Sequence, residues 1–266
     1  MNTFFPIIGH KMSIEVYRTS HYSVMNKIGA RLVEAKIFLL YYNQSLSIKE
    51  NIQLAYQQRW FGNSSEDLCK RLIQHFKEQF LRVKDIFHLL RSYVVLLDGK
   101  NFHWVNHFFM VLNDPYYRWA SSVFFFDLFV TGHIDLPKTK FEKELRLIYP
   151  DFISDTTLSR CSRNILTSLR DNKILEGDKS KKISNSQLDV TSLGMMMYFL
   201  TELGLGANDF DQSPLHRSLL KSNEALIPLL IEGEQLNYWE FYGDQNSIRL
   251  NLTQKDFQKW LGVVHI

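Results

Sequence analysis

Glycine and proline are scarce in this sequence, with 12 glycines and 6 prolines among 266 residues. Folds built only from strands need many turn residues, so this scarcity argues against an all-β fold. Hydrophobic residues make up 45% of the chain and charged residues 22%, an ordinary composition for a globular protein. We therefore expect a mainly helical globular chain, and its length suggests more than one compact unit.

Cysteine is also scarce. Only Cys69 and Cys161 occur, and neither belongs to a pair or a Cys/His pattern with zinc-binding spacing. This usage favours a reducing compartment, so we expect a cytoplasmic protein that holds no metal or other cofactor.

Long apolar runs are missing too. The apolar stretches at 123–130 and 193–205 are shorter than the ~20 residues that a membrane-spanning helix needs. Residues 1–11 place no basic region ahead of their apolar run, which argues against a secretory signal. We expect no membrane partner.

No catalytic signature is present. The sequence contains no glycine-rich phosphate loop, nucleophile elbow or zinc motif, and pairs such as Glu142 and Glu144 are expected on solvated helix faces. His103 and His107 are four residues apart on a predicted helix, a spacing that can hold a metal, but no third ligand accompanies them. We interpret them as a packed or surface pair and expect that the protein is not an enzyme.

Apolar residues recur with the helical period through the first part of the chain, which predicts a helical bundle over residues 1–113. Helices are expected over 20–42, 48–60, from about 65 to 80, 83–97 and 101–112. Ser47 and Glu50 have the spacing of a capping box, and Ser64 or Ser65 is expected to cap the third helix. The pattern indicates packing and no chemistry.

Residues 114–190 follow a different order. The chain predicts a helix to Val130, a short extended segment before Pro137, helices over 138–149 and 156–172, a strand at 174–176, a basic loop and a further strand from Ile183. This is the order of elements in a winged-helix domain.

The helix over 156–172 divides its residues between two faces. An apolar face is expected to be buried and contains Leu158, Cys161, Ser162, Ile165 and Leu169. The opposite face is polar and basic and contains Arg160, Arg163, Asn164, Thr167 and Arg170. These side chains are of the types that bond phosphates or base edges.

Positive charge is concentrated in the same segment. Residues 155–182 contain seven basic and four acidic side chains, a net charge of +3 that equals the net charge of the whole chain. We expect the helix to face a nucleic-acid groove while the loop lysines Lys179, Lys181 and Lys182 contact phosphates. The helix N-terminus at 154–157 would add N–H groups for a phosphate.

The remaining residues, 191–266, predict a small α+β part. Helical patterns at 190–203 and 214–230 precede two alternating segments, 238–242 and 247–252, that are typical of a β-hairpin. Thr253 is expected to cap a final short helix.

Several stretches together resemble the BrxA family of bacterial BREX phage-defence systems. They are Asp114 to Trp119, Leu158 to Gly177, Trp239 to Phe241 with Ile248 to Leu250, and, in the N-terminal part, Arg31 to Lys36 and Asn63 to Phe76. The resemblance implies a nearly all-helical protein, similar in part to the NusB antitermination factor, that binds DNA without catalysis. It also implies work beside a methyltransferase, an ATPase and a phosphatase-like protein.

Two functions remain open at this point. The first is a non-enzymatic accessory protein that contacts duplex DNA through the winged helix. The alternative is an assembly adaptor in a defence or transcription complex, whose winged helix and aromatic patches dock other proteins. Neither DNA sequence preference nor the choice between DNA and RNA follows from the sequence.

Overall fold

The protein is mainly helical, as predicted, in a computed structural model that describes residues 23, 25, 28–81, 87–97, 99–133, 135–136, 138–148, 154–178, 180–244 and 246–264. No helix among these residues combines the length and the apolar character needed to cross a membrane.

The first half of the chain is helical almost throughout the described residues. Its helices are α1 (Leu32–Tyr41), α2 (Ile48–Gln57), α3 (Glu66–Phe80), α4 (Phe87–Leu96), α5 (Phe102–Asn113) and α6 (Pro115–Trp119), followed by a π-helical turn (Ala120–Phe124) and α7 (Phe125–Val130).

The second half mixes helices with short strands. Its elements are β1 (Asp135–Leu136), α8 (Lys138–Ile148), α9 (Asp155–Asp171), β2 (Leu175–Glu176), β3 (Lys181–Ile183), α10 (Val190–Glu202), a 3-10 turn (Ala207–Asp209), α11 (Pro214–Ser218), α12 (Asn223–Gln235), β4 (Trp239–Asp244), β5 (Ser247–Leu252) and α13 (Phe257–Leu261).

Local sequence explains where the first helices begin. The predicted capping box is present, since Ser47 Oγ accepts from Glu50 N and the Glu50 carboxylate accepts from Ser47 N. Ser65, one of the two candidates, caps α3. The prediction of a helix from residue 20 is wrong for 28–30, which are not helical; Arg31 has a left-handed φ of 46° and α1 starts after it. Residues 20–22, 24, 26–27 and 82–86 lie outside the described residues.

Helix α5 is the central element of the core. Every residue from Phe102 to Asn113 is buried, and the helix contacts α1, α3, α6, α10 and α11. It ends where Asp114 leaves the helical conformation and caps α6, accepting hydrogen bonds from Tyr116 N and Tyr117 N through Oδ1. Pro115 at the first position of α6 suits this start, because proline has no N–H to leave unpaired.

Between α7 and α10 lies a small sheet with the strand order β1-β3-β2, antiparallel throughout. Helices α8 and α9 lie between β1 and β2 in the chain and contact each other, and α9 contacts β2. The order of elements predicted for 114–190 is therefore present: helix, strand, helix, helix and two further strands.

The C-terminal part contains the predicted hairpin, with Trp239 opposite Leu252 and Asp244 opposite Ser247. Helix α12 approaches β4 so closely that a Cβ atom on Gly233 would lie 2.0 Å from the Trp239 ring, so this position requires glycine. The last helix is capped by Asp256 and not, as predicted, by Thr253. One hydrophobic cluster includes residues from all three predicted domains, and the boundaries at 113 and 190 stay a prediction.

Candidate nucleic-acid interface

Helix α9 presents the predicted buried face to the core. Ser154 caps it by accepting from Thr157 N, so this N–H is already bonded within the chain. All five residues assigned to the inner face are buried, together with Leu166 and Ser168. Burial raises the pKa of the Cys161 thiol far above its usual range, so this cysteine is a neutral core residue.

The open side of α9 carries a basic stripe, defined as Thr156, Arg160, Arg163, Thr167 and Arg170. These residues follow one another at intervals of three or four and therefore share one side of the helix. Thr156, Arg160 and Arg163 are exposed, whereas Thr167 and Arg170 are half-buried. Neither Arg160 nor Arg163 forms an ion pair with another described residue, so both guanidinium groups remain available to an anion.

Asn164 differs from its prediction as a groove-facing residue. It is half-buried, and its Nδ2 donates to Met25 O at 2.7 Å. The next turn of the same flank is also covered, because Ser168 Oγ accepts from Ala30 N at 2.7 Å. A segment that we name the strap, residues 23, 25 and 28–31, thus lies along one flank of α9. It accepts a hydrogen bond from the Asn164 amide, the group that was expected to contact bases.

Thr167 faces a cleft of about 750 Å³ between the strap, α1, α3 and α9. The cleft also exposes Arg31 and Arg71, but each pairs with a carboxylate at 3.1 Å, Arg31 with Glu34 and Arg71 with Asp67. Charges of both signs therefore surround this end of the basic stripe.

Arg170 is bound by two carboxylates. Its Nη2 lies 3.1 Å from Asp171 Oδ1 and its Nη1 lies 2.6 Å from Asp178 Oδ1. The hydrogen bond to Asp171 raises the pKa of Arg170, with smaller contributions from the two negative charges and from the bond to Asp178. Its charge is compensated inside the chain, which makes it a weaker phosphate ligand than Arg160 or Arg163.

The loop lysines divide into three cases. Lys181 is buried, and its ammonium group donates to Gly177 O at 2.6 Å and to Asp178 O at 3.0 Å, so it closes the β2–β3 turn and does not face solvent. Gly177 has a φ of 86°, and a Cβ there would lie 2.2 Å from Ser180 O. Lys182 is exposed on β3. Lys179 lies outside the described residues.

Lys173 was counted in the basic segment but not predicted as a site residue. It is exposed just beyond the C-terminal end of α9, with a left-handed φ of 59°, and pairs with no described carboxylate. Its position just after the predicted end of the helix was the sequence feature that could have identified it as a site residue. Arg160, Arg163 and Lys173 are thus the cations of this surface that have no carboxylate partner among the described residues, and Lys182 is a further exposed cation.

The different placements of Lys181 and Lys182 give a prediction. Lys181→Met is expected to lower the free energy of unfolding by about 1–3 kcal/mol, because the β2–β3 turn loses two hydrogen bonds from a charged donor. Lys182→Met is expected to leave stability within about 0.5 kcal/mol of the parent and to reduce the salt dependence of duplex binding by about one phosphate contact. Denaturant titration and binding measured over a range of salt concentrations check both.

The two lysine outcomes are separable. Equal stability of both variants would show that the Lys181 bonds contribute nothing, whereas loss of duplex affinity only on replacing Lys181 would exclude Lys182 from the interface.

The histidine pair is a packed pair. His103 and His107 are both buried, and no group of three histidine, cysteine or acidic side chains within the described residues could hold a metal ion. His107 instead bonds Tyr117 and Ser218, each at 2.9 Å. Phe124 and Phe125 are likewise buried.

The sequence matches no protein-family model and no curated protein. What this surface binds is therefore inferred from the charge, exposure and hydrogen bonding of its residues.

Proposed function

We propose that this chain is a non-enzymatic protein that binds duplex DNA, and that its segment 114–190 is a winged-helix domain. The strand order β1-β3-β2, with α8 and α9 between the first two strands, supports the fold proposal. In such a domain α9 is the recognition helix and the β2–β3 hairpin is the wing.

One observation carries the functional proposal. Arg160 and Arg163, on the same side of α9, are both exposed and have no carboxylate partner within the described residues. Two uncompensated guanidinium groups one turn apart suit successive phosphate oxygens, which arginine binds well. Lys182 on the wing and Lys173 at the end of α9 add positive charge. Lys173 pairs with no described carboxylate.

The expected contact is with the phosphate backbone more than with bases. An asparagine amide can recognise adenine in the major groove, but the Asn164 amide is bonded to Met25 O. The strap also narrows the accessible part of α9 to the basic stripe. Binding with little sequence preference follows, because phosphate contacts carry no sequence information.

The test is the double variant Arg160→Ala/Arg163→Ala. Two lost phosphate contacts should make the slope of log affinity against log salt shallower by about 1.8, at about 0.9 per contact. The loss of affinity should be similar for unrelated duplex sequences. Fluorescence anisotropy with short labelled duplexes, from about 50 mM salt upward, measures both quantities.

A matched control is available in the C-terminal hairpin region. Arg249 and Lys255 are exposed there, and Arg249→Ala/Lys255→Ala removes the same net charge. If the control changes the slope as much as the α9 variant does, binding reflects net charge alone. If the parent binds no duplex at about 50 mM salt, the DNA-binding proposal fails.

We further propose that the chain acts in a BREX-type phage-defence system, beside a methyltransferase, an ATPase and a phosphatase-like protein. The resemblance of segments such as Asp114 to Trp119 and Leu158 to Gly177 to the BrxA family supports this proposal. Removing the chain from cells that carry such a system should weaken phage restriction, and restriction at the parental level would exclude the role.

The assembly adaptor is the second candidate, and α1 favours it. Val33 and Tyr41 are 70% and 59% exposed, whereas Ala35, Phe38 and Leu39 on the other side are buried. An apolar outer face suits a protein partner better than a phosphate backbone. A Val33→Asp/Tyr41→Asp variant that binds duplex normally but loses co-assembly with the proposed partners would support this function.

A further inference from the structure

A pocket of about 570 Å³ lies beside the β2–β3 hairpin, away from the inner face of α9. It is formed by the start of α5, the end of α9 and the two ends of the hairpin. Nearly all its lining side chains are polar or charged. Pockets for apolar ligands have mostly hydrophobic linings, so this pocket suits a polar ligand.

The pocket contains hydrogen-bonding groups that the chain itself does not use. His103 lines it and is 6% exposed, and its Nε2 atom is buried with no hydrogen-bond partner among the described residues. The hydroxyl groups of Ser184 and Ser186 also line it and bond no described residue. A buried polar atom without a partner is costly, so a ligand that accepts from it gains binding energy.

The charge of the pocket comes from Lys173. Arg170 also lines it, but Asp171 and Asp178 hold that guanidinium. The Lys173 charge is close enough to His103 to help lower the pKa of this imidazole, although burial is the larger cause and lowers it to about 4. His103 is therefore neutral, with one N–H to donate.

Two carboxylates oppose an anion in this place, Glu176 in the lining and Asp189, whose negative charge raises the pKa of His103 against the effect of burial. Glu176 lines the pocket and is exposed, and in the register of the hairpin it lies directly opposite Lys182. Opposite charges on paired strands attract each other, which reduces the repulsion that an anion would meet.

We propose that this pocket binds a phosphate group. Lys173 supplies the positive charge, and His103, Ser184 and Ser186 supply neutral donors, the combination that recognises an oxyanion. The phosphate is either inorganic phosphate or a phosphodiester of a bound duplex. The site is independent of the proposed contacts at Arg160 and Arg163, so each can fail without the other.

The first experiment uses the unmodified protein and inorganic phosphate. Two-bond 1H–15N spectra of the histidine side chains, and amide spectra of Ser184 and Ser186, are followed during phosphate addition near neutral pH. Sodium chloride of equal ionic strength is the reference. We expect saturable shifts at His103 and at the two serines with phosphate only. His75, whose two ring nitrogens are also buried with no partner in the described part of the chain, is the internal control and should not shift.

The second experiment tests the cation. Lys173→Met should weaken phosphate binding about tenfold or more, since a charged hydrogen bond is lost, whereas Lys70→Met on the exposed face of α3 should not. No saturable shift in the parent, or unchanged phosphate affinity in Lys173→Met, overturns the proposal.

A short duplex distinguishes the two sources of phosphate. The ligand is a phosphodiester if the duplex shifts the same signals and added inorganic phosphate competes with it, so that the signals move to the positions seen with phosphate alone. If only inorganic phosphate shifts them, the site binds the free ion. If the pocket signals do not respond while Arg160→Ala/Arg163→Ala loses duplex affinity, the pocket proposal fails and the proposed function stands.

Discussion

Replacing Asn172 by leucine is expected to lower the free energy of unfolding by about 3 kcal/mol or more. Asn172 follows α9 and is fully buried, where Nδ2 donates to Tyr117 Oη at 2.8 Å and Oδ1 accepts from Asn106 Nδ2 at 3.0 Å. Leucine has a similar size but no polar atoms, so Asn106 and Tyr117 lose a partner in the core. Each such loss costs about 1–3 kcal/mol.

These bonds belong to a chain of buried polar groups with one direction. Gln79 donates to Asn106, Asn106 to Asn172 and Asn172 to Tyr117. The network therefore connects α3, α5 and α6 to the C-terminal end of α9, and it fixes the orientation of the helix that carries the basic stripe.

Asn164→Leu is the control for the Asn172 variant. Asn164 is on the same helix but half-buried, and within the described residues its side chain makes one hydrogen bond, to the strap. Its replacement should cost about 1 kcal/mol. Denaturant unfolding followed by circular dichroism measures both variants, and equal costs would mean that the buried network gives no more stability than a single bond at the edge.

Much of the local structure follows from the sequence. The Ser47/Glu50 capping box, the cap at Ser65, the buried position of Cys161 and the C-terminal hairpin all depend on residues within a few positions of one another. Periodicity and capping describe such short-range relationships well. The order of elements between 114 and 190 could be predicted from the sequence for the same reason.

The composition of the surface on α9 did not follow from the sequence. A helical wheel places Asn164 outside, but it cannot reveal that Met25, 139 positions earlier, lies against it. Nor can it show that the Lys181 ammonium turns inward to two carbonyl groups of its own hairpin. In both cases contacts made only in the folded chain decide which polar side chains stay available.

A decrease of pH below about 6.5 is expected to destabilise the protein strongly, because three buried histidines remain neutral in the folded state. Burial lowers the pKa of His75 and His103 to about 4 and that of His107 to about 3; the Lys173 charge adds to the shift of His103, and the Asp189 charge opposes it. In the unfolded chain each would have a pKa of about 6.5. Burial also lowers the pKa of His216, so the shift has the same direction in all four buried histidines.

The sign of the effect follows from proton binding. Between about pH 6.5 and pH 4 the unfolded chain binds protons that the folded chain excludes, so stability present above pH 6.5 is lost as the pH falls toward the folded pKa values. Each histidine contributes a slope of up to about 1.4 kcal/mol per pH unit, and three give about 4 kcal/mol per unit. A domain of ordinary stability would then unfold at mildly acidic pH.

His107 and His75 should respond differently to replacement, although both take part in this pH dependence. Ser218 Oγ donates to Leu215 O, so it accepts from His107 Nε2–H, and His107 Nδ1 in turn accepts from Tyr117 Oη. His107→Phe breaks both bonds and should cost about 2–4 kcal/mol at neutral pH. The nitrogens of His75 bond no group of the described residues, so His75→Phe should leave neutral stability unchanged or raise it.

Both variants should bind about one proton fewer on unfolding than the parent, because each lacks one of the titrating imidazoles. Urea midpoints measured at intervals between about pH 7 and pH 5 give that number from the slope of the free energy against pH. A slope in His75→Phe equal to that of the parent would mean that His75 titrates normally in the folded chain and therefore reaches solvent. A reduced slope with unchanged stability at neutral pH would instead identify His75 as a buried histidine whose neutral form the fold tolerates without bonding it.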